Sequence, residues 1–169
     1  MVKISVLIVT RNAEKHILSC LKSIINQFPD NNGWELIIVD GMSKDKTRKI
    51  VEDYLKDKGV EYRVVDNPRF TLATGWNLGV SVAKGDYVVR PDAHAELLDN
   101  YILNGVAHLD KEPELVAVGG ILITKSENLI GEVIAAVLSN PVGIGYSLFR
   151  VGVSKDTYTD TAVYAVYRK

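Results

Sequence analysis

Apolar runs of strand length alternate with segments of helical period along the chain. Residues 4–9 are nearly all apolar, which is typical of a strand buried on both faces of a sheet. Four further strands are predicted at residues 35–40, 60–65, 87–90 and 115–123. Strands that alternate with helices indicate an α/β fold, in which a mostly parallel sheet carries helices on its faces.

The helices between these strands are predicted from apolar residues spaced three and four positions apart. The first two stripes comprise Ile17, Leu18, Leu21, Ile24 and Ile25, and then Ile50, Val51, Tyr54 and Leu55. The third comprises Leu72, Trp76, Val80 and Ala83. Ser43 is the expected N-cap of the second helix, and Gly59 its expected end. Further helices are predicted at residues 98–109 and 129–138, and a last strand at residues 161–167.

Composition narrows the class of protein. The 169 residues are 47% hydrophobic and 24% charged, which suits one compact domain with its own core. A net charge of −1, with both signs interspersed, provides no basic surface for a nucleic-acid backbone. Cys20 is interpreted as a buried thiol in a reducing, cytoplasmic setting. The first apolar run is far shorter than the roughly 20 residues that cross a bilayer, and it leaves peripheral membrane contact open.

The residues that follow each apolar run are the candidates for chemistry, because ligands of parallel sheets bind beyond the carboxyl ends of the strands. These residues are Thr10, Arg11 and Asn12; Asp40; Asp66, Pro68 and Arg69; and Asp92 and His94. The first strand-to-helix turn, TRNAEK, has no glycine, which argues against a dinucleotide-binding oxidoreductase. A phosphate group bound at this edge would therefore not be held by a glycine-rich turn, and its negative charge would have to be neutralised by a different group.

Asp92 and His94, within GDYVVRPDAHAE, are the candidate source of that charge. Two ligands at i and i+2 can hold a divalent ion and leave coordination positions for phosphate oxygens and water. Such a site suits Mn²⁺ or Mg²⁺, and the imidazole favours Mn²⁺. The alternative interpretation is a turn at Pro91 and Asp92, with His94 facing solvent near the start of a helix.

Three segments carry a family resemblance: SVLIVTRNAEKHILSCLKSIINQ, ELIIVDGMSKDKT and NPRFTLATGWNLGVSVAKGDYVVRPDAHAE. Together they resemble the amino-terminal half of inverting family 2 glycosyltransferases of the GT-A fold. The wording DNPR, NLG, AKGDYVVRPDAHA and NPVGIGYSLFR is especially similar to bacterial succinoglycan-type glucosyltransferases. The resemblance implies a single GT-A domain, in which residues 1–124 bind a nucleotide-sugar donor and residues 125–169 begin the acceptor side.

The resemblance implies roles for the residues after the first two strands. Thr10 and Arg11 are expected to line the nucleotide pocket, and Asp40 is expected to hydrogen-bond the base. Asp45 matches a later acid of the family pattern, although a favourable charge in the first turn of a helix also explains it. A role for Asp40 as a cap of the second helix stays open as well.

The resemblance also assigns the diphosphate side. Pro68, Arg69 and Asn77 are expected to border the nucleotide and the diphosphate. Asp92 and His94 occupy the D-x-D motif, with Asp92 near the ribose and the metal and His94 as a metal ligand. For Arg69 and Asn77 the alternatives are a surface turn and a solvated helix face.

The implied reaction is displacement at the anomeric carbon of a sugar, with a nucleoside diphosphate leaving and a general base deprotonating the acceptor. In the family this base follows the segment reached at DTAVYAVYRK, so we expect the chain to be a donor-binding half that lacks it, with Asp160 as the remaining candidate. The acceptor implied is a saccharide or a lipid-linked sugar in bacterial polysaccharide assembly at the inner face of the membrane. A nucleotide-sugar-binding module without turnover and a homo-oligomer stay open.

Overall fold

The protein is described from a computed structural model that covers residues 3–126 and 128–169. The chain forms two compact units. One runs to Val118 and includes Val166–Lys169, and the other is Gly119–Ala165.

The first unit is built on a six-stranded sheet with the strand order β3-β2-β1-β4-β6-β5. The strands are β1 Ile4–Thr10, β2 Trp34–Asp40, β3 Tyr62–Asp66, β4 Tyr87–Val89, β5 Ala117–Val118 and β6 Val166–Arg168. β1 pairs in parallel with β2 and β4, β2 pairs in parallel with β3, and β6 runs antiparallel to β4 and β5. Five strands therefore share one direction, which confirms the mostly parallel sheet.

Helices pack on both faces of this sheet, as predicted. They are α1 Ile17–Ile25, α2 Thr47–Leu55, α3 Leu72–Val82 and α4 Tyr101–Lys111. One face forms a core with α1, α2 and α4, through side chains such as Leu21, Val51 and Ile102. The other face presents Leu7 and Val88 to a smaller core beneath α3.

α3 approaches the sheet through glycines and through part of the predicted apolar stripe. Gly75 and Gly79 are its buried residues. A Cβ atom at Gly75 would lie 2.5 Å from Cγ1 of Val9, so only glycine allows this approach of helix and strand. Leu72 and Val80 of the predicted stripe are exposed instead. Trp76 and Ala83 of the stripe do pack in the smaller core, and the prediction missed the two glycines because it counted only apolar side chains.

Several element boundaries also differ from the prediction. β5 has two residues, because Gly119 and Gly120 follow it directly and glycine weakens a strand. α4 begins at Tyr101, because Asn100 takes a left-handed conformation with φ of 59°. The last strand begins only at Val166. Leu18, predicted to face inward, lies on the exposed side of α1.

The second unit contains three helices within its described part, α5 Leu129–Leu138, α6 Pro141–Ile144 and α7 Leu148–Val151. Asn128 caps α5 by accepting a hydrogen bond from the backbone N–H of Gly131 at 2.8 Å. None of the side chains of α5 is buried, although most are apolar. No helix in the described ranges is long and apolar enough to cross a membrane.

Candidate functional site

The carboxyl ends of three neighbouring strands lie side by side. The register pairs Thr10 with Asp40 and Asp40 with Asp66. Because these strands are parallel, the loops that follow them open at the same edge of the sheet. Thr10 and Asp40 are buried, and the Thr10 hydroxyl has no hydrogen-bond partner within the described residues. The structure thus brings two predicted site residues together and leaves one buried donor and acceptor unused.

Asp40 is fixed by its own loop. Its Oδ1 accepts a hydrogen bond from the Ser43 hydroxyl at 2.5 Å, and its Oδ2 accepts one from the Ser43 backbone N–H at 3.1 Å. Ser43 therefore does not cap α2 as predicted. Met42 has a left-handed backbone with φ of 56°, and this turn directs the Ser43 side chain back to Asp40. Each carboxylate oxygen has two lone pairs, so Asp40 keeps acceptor capacity for a ligand.

Hydrogen bonds join the loop after β1 to the loop after β2. The pairs are Asn12 N to Ser43 Oγ (2.9 Å), Ala13 N to Thr47 Oγ1 (2.7 Å), Glu14 N to Asp45 Oδ2 (3.0 Å), Lys44 N to Asn12 Oδ1 (2.8 Å) and Lys46 N to Glu14 Oε2 (3.0 Å). These bonds run in both directions and satisfy backbone N–H groups in the loops that precede α1 and α2. The two loops therefore hold Thr10 and Arg11 in a fixed position beside Asp40.

Asp45 has a structural role in this network. Its Oδ1 accepts hydrogen bonds from the backbone N–H and the hydroxyl of Thr47, at 2.9 and 2.6 Å. Partial desolvation acts to raise the pKa of Asp45, but the hydrogen bonds from Thr47 and Glu14 outweigh it and hold the pKa below its usual value. A carboxylate at the start of α2 also interacts favourably with the positive end of the helix dipole.

Arg11 stacks on an aromatic ring from the loop after β3. Its guanidinium carbon lies 4.7 Å from the centroid of the Phe70 ring. Phe70 is half exposed and has a left-handed backbone with φ of 60°, which is costly for an aromatic residue. Gly41 leaves room for the arginine, since a Cβ there would lie 3.2 Å from Cβ of Arg11. Arg11 therefore spans from the end of β1 to the β3–α3 loop.

The β3–α3 loop and α3 enclose a cleft of about 410 Å³, which we call the β3–α3 cleft. It is lined by Asp66, Asn67, Pro68, Arg69, Thr74, Asn77 and Leu78. Three predicted site residues, Pro68, Arg69 and Asn77, thus meet in one cleft.

Asn67 holds the β3–α3 loop in place. Its backbone N–H donates to the Asp40 carbonyl at 2.8 Å, and its Nδ2 donates to the Thr71 carbonyl at 2.9 Å. Its Oδ1 accepts from the Thr74 hydroxyl at 3.0 Å. Asn67 was not among the predicted site residues. The signal was an asparagine directly before a proline, a pair that often builds a turn through side-chain hydrogen bonds.

Asp92 and His94 lie in the connection after β4, where residues 92–95 form a hydrogen-bonded turn. Burial alternates along it: Pro91, Ala93, Ala95 and Leu97 are buried, whereas Asp92, His94 and Glu96 are less buried. The exposed His94 lies within this turn, and Asp92 is partly buried. A cation shared by the two side chains stays a prediction. The Cys20 thiol donates to the Asp92 carbonyl at 3.4 Å, and the Ala95 N–H donates to the same oxygen at 2.9 Å.

These two side chains fit part of a metal site. In the portion of the chain that the structure describes, no three His, Cys, Asp or Glu side chains gather to hold a metal ion. One carboxylate and one imidazole suit Mn²⁺, or less well Mg²⁺, when other ligands complete the coordination. The pair therefore fits a cation that takes its remaining ligands from a bound diphosphate and water.

The remaining candidate is Asp160, which lies in the second unit. It is exposed, and its Oδ1 accepts a hydrogen bond from the adjacent Thr161 hydroxyl at 3.1 Å. Its role as a general base stays a prediction.

The family model described as Glycosyl transferase family 2 matches residues 5–132. A Methanococcus voltae protein, named dolichyl N-acetyl-alpha-D-glucosaminyl phosphate 3-beta-D-2,3-diacetamido-2,3-dideoxy-beta-D-glucuronosyltransferase, is 30% identical, over 97% of this chain and 52% of the relative. The poly(ribitol-phosphate) beta-N-acetylglucosaminyltransferase TarS of Staphylococcus aureus is 26% identical, over 66% of this chain and 19% of the relative. The chain thus spans about half or less of the length of these relatives.

Solved structures show the same fold. S. aureus TarS 1–349 superposes with a TM-score of 0.64 at 24% identity, over 75% of this chain and 38% of that chain. The mannosyltransferase PcManGT from Pyrobaculum calidifontis, in complex with GDP-Man and Mn²⁺, superposes with a TM-score of 0.65 at 24% identity, over 70% of this chain and 35% of that chain. S. aureus TarS 1–349 is also solved in complex with UDP and with UDP-GlcNAc.

Proposed function

Because the chain belongs to glycosyl transferase family 2 and has the GT-A fold of those transferases, we propose that the protein transfers a sugar from a UDP-sugar to a saccharide or lipid-linked acceptor in polysaccharide synthesis. The observation that carries this proposal is the common edge where Thr10 and Asp40 meet the β3–α3 cleft with Pro68, Arg69 and Asn77. The UDP and UDP-GlcNAc complexes of TarS support uracil as the base.

The nucleotide would lie over the ends of β1 and β2. The buried Thr10 hydroxyl has unused hydrogen-bonding capacity, and the Asp40 carboxylate can accept from the N–H of a base. Arg11 and Arg69 would neutralise the diphosphate, since a guanidinium matches the spacing of phosphate oxygens. Asn77, which lines the β3–α3 cleft, would donate to the same group.

Asp92 and His94 would hold Mn²⁺ or Mg²⁺ beside the diphosphate. When bound, the ion supplies a Lewis acid for the departing diphosphate. His94 is exposed in the turn, Asp92 is partly buried, and the Asp92 carbonyl accepts a hydrogen bond from the Cys20 thiol. This hydrogen bond ties the backbone of Asp92 to α1 and so helps to fix the position of this proposed ligand.

The acceptor hydroxyl must lose its proton as it attacks, and we propose attack with inversion at the anomeric carbon. A carboxylate base suits this step. Asp160 is exposed and is our candidate in the second unit.

We propose a cytoplasmic enzyme that acts at the inner face of the membrane. The protonated, buried Cys20 suits a reducing compartment. The exposed apolar side chains of α5, among them Leu129, Ile130 and Val133, support peripheral membrane contact or a homo-oligomer.

Thermal melting tests the proposal. The protein is heated with UDP, GDP or NAD, each with and without Mn²⁺, because a ligand that binds only the folded state raises the melting temperature. We expect UDP with Mn²⁺ at 100 times its Kd to stabilise the fold by about 2.7 kcal/mol. Stabilisation by NAD alone would contradict the proposal. Transfer of radiolabelled sugar to an acceptor then separates turnover from donor binding alone.

A further inference from the structure

Arg90 occupies an unusual position directly after β4. Its guanidinium carbon lies 3.5 Å from the centroid of the Trp76 ring on α3 and 5.3 Å from that of Tyr167 on β6. Trp76 at this distance covers one face of the planar guanidinium, so its orientation is fixed by stacking. The sequence analysis assigned no role to Arg90, although an arginine at the end of the apolar run YVV was a signal.

The hydrogen-bond donors of Arg90 are unused. No described residue forms a hydrogen bond or an ion pair with its guanidinium, and its buried Nε lacks any partner. In contrast, Arg48 is paired with Asp66 at 2.8 Å, and Arg63 is paired with the buried Glu35 at 2.8 Å. Stacking on an aromatic face does not satisfy N–H groups, which lie in the plane of the guanidinium. A half-buried arginine with free in-plane donors can therefore bind a ligand that accepts hydrogen bonds.

Arg90 lines a cleft of about 480 Å³, which we call the Arg90 cleft. Its lining is Ala73, Trp76, Asn77, Val80, Ser81 and Arg90. Arg90 is the charged member of this lining, so its positive charge is not neutralised there. Asn77 also lines the β3–α3 cleft, so the two clefts meet at this residue. The Arg90 cleft therefore adjoins, at Asn77, the cleft that holds Pro68 and Arg69.

We propose that Arg90, oriented by Trp76, binds an oxyanion carried by the substrate, either the carboxylate of an acidic sugar or a phosphate of the acceptor. The inference rests on the proposed function and adds to it a preference for an anionic substrate. The geometry favours an oxyanion over a stacked base or a neutral sugar. The Arg90 guanidinium already covers a face of the Trp76 ring, so that face is closed to a stacking ligand. The groups of Arg90 that are left for a ligand are its in-plane N–H donors. Planar or tetrahedral oxyanions accept two such hydrogen bonds at once.

Binding measurements with matched ligands test this inference. Affinities of UDP-glucuronate and UDP-glucose are measured by isothermal titration in the presence of Mn²⁺, for the wild type, Arg90→Lys and Arg90→Gln. Lys49→Gln, which removes an exposed lysine charge elsewhere, is the control. If the sugar carries the anion, UDP-glucuronate binds the wild type and the control at least about tenfold more tightly than UDP-glucose. Both Arg90 variants lose that advantage, since lysine keeps the charge but not the paired donors.

A second experiment uses no nucleotide. Inorganic phosphate and glucuronate are titrated while tryptophan fluorescence is followed, because Trp76 contacts Arg90 and the second tryptophan, Trp34, is buried. A saturable change in the wild type that is absent from Arg90→Gln supports the inference, and a response to phosphate alone places the anion on the acceptor. Trp76→Phe keeps an aromatic face and should remove the signal.

The inference is overturned if neither anion changes the fluorescence and the two UDP-sugars bind equally. It is also overturned if any preference survives in Arg90→Gln. Failure of the proposed function has another signature: UDP, UDP-glucose and GDP then all fail to bind the wild type, while the fluorescence titration still decides the role of Arg90.

Discussion

Two buried polar side chains at the candidate site, Thr10 and Cys20, are relevant to ligand binding. The Thr10 hydroxyl is buried without a partner, which costs stability in the folded protein unless a ligand bonds to it. The Cys20 thiol is also buried, and burial raises its pKa to about 12, with the carboxylates of Asp92 and Glu96 adding to the effect. The protonated thiol donates to the Asp92 carbonyl and so supports the proposed metal-binding segment.

Thr10→Val separates folding from binding. Valine has the shape of threonine but no hydroxyl, so removing an unbonded buried hydroxyl should leave the free energy of unfolding unchanged or raise it by up to about 1 kcal/mol. Nucleotide affinity should fall at least about fivefold, since one hydrogen bond of roughly 1 kcal/mol is lost. Urea denaturation and UDP titration check both values. Unchanged affinity would remove Thr10 from the nucleotide pocket.

Cys20 predicts a loss of stability in alkali. The unfolded chain ionises this thiol near its ordinary pKa of about 8.5, while the folded protein keeps the proton until about pH 12. Stability from Cys20 is therefore complete below about pH 8 and declines as the pH rises above it. Urea denaturation at pH 7 and pH 10 should show a loss in the wild type about 1–2 kcal/mol larger than in Cys20→Ser. Equal losses in both proteins would contradict the shifted pKa.

Helices and strands with a regular apolar pattern could be predicted from the sequence. The packing of a helix whose backbone comes close to the sheet through glycines could not. β1 and α1 follow from apolar runs and from the spacing of Ile17, Leu21 and Ile24. α3 was placed correctly in sequence, but its buried face is glycine, which carries no hydrophobic signal. The engagement of Asp40 by Ser43 depends on the left-handed Met42, a backbone conformation that no residue pattern reveals.

Gly75→Ala tests the packing of α3. A methyl group there would lie 2.5 Å from Cγ1 of Val9, so the helix must shift, and overpacking of this kind costs roughly 1–3 kcal/mol. Ser81→Ala on the exposed side of the same helix should change stability by less than about 0.5 kcal/mol. Thermal and urea denaturation compare the two variants. A Gly75→Ala protein as stable as Ser81→Ala would show that α3 does not pack as closely as described.

At the scale of the whole molecule, the chain forms a sheet unit and a second unit that contains the apolar helix α5. The family and the fold were identifiable from the sequence, because several ordered motifs fall at the ends of successive strands. The closer resemblance to succinoglycan-type enzymes and the division of the chain at residue 124 stay predictions. The base, the sugar and the acceptor depend on contacts with ligands, which a pattern of apolar and polar residues does not encode.

The central claim is that Asp92 and His94 couple a cation to a nucleoside diphosphate. Isothermal titration of UDP into the wild type, Asp92→Asn, His94→Ala and Asp99→Asn, each with and without Mn²⁺, tests it most directly. Asp99→Asn is the control, because it removes an exposed carboxylate from the same connection.

With Mn²⁺, the wild type and Asp99→Asn should bind UDP at least about tenfold more tightly than the other two variants. Without Mn²⁺, all four should bind it with similar, weak affinity. Equal affinity of all four proteins for UDP in the presence of Mn²⁺ would contradict the account.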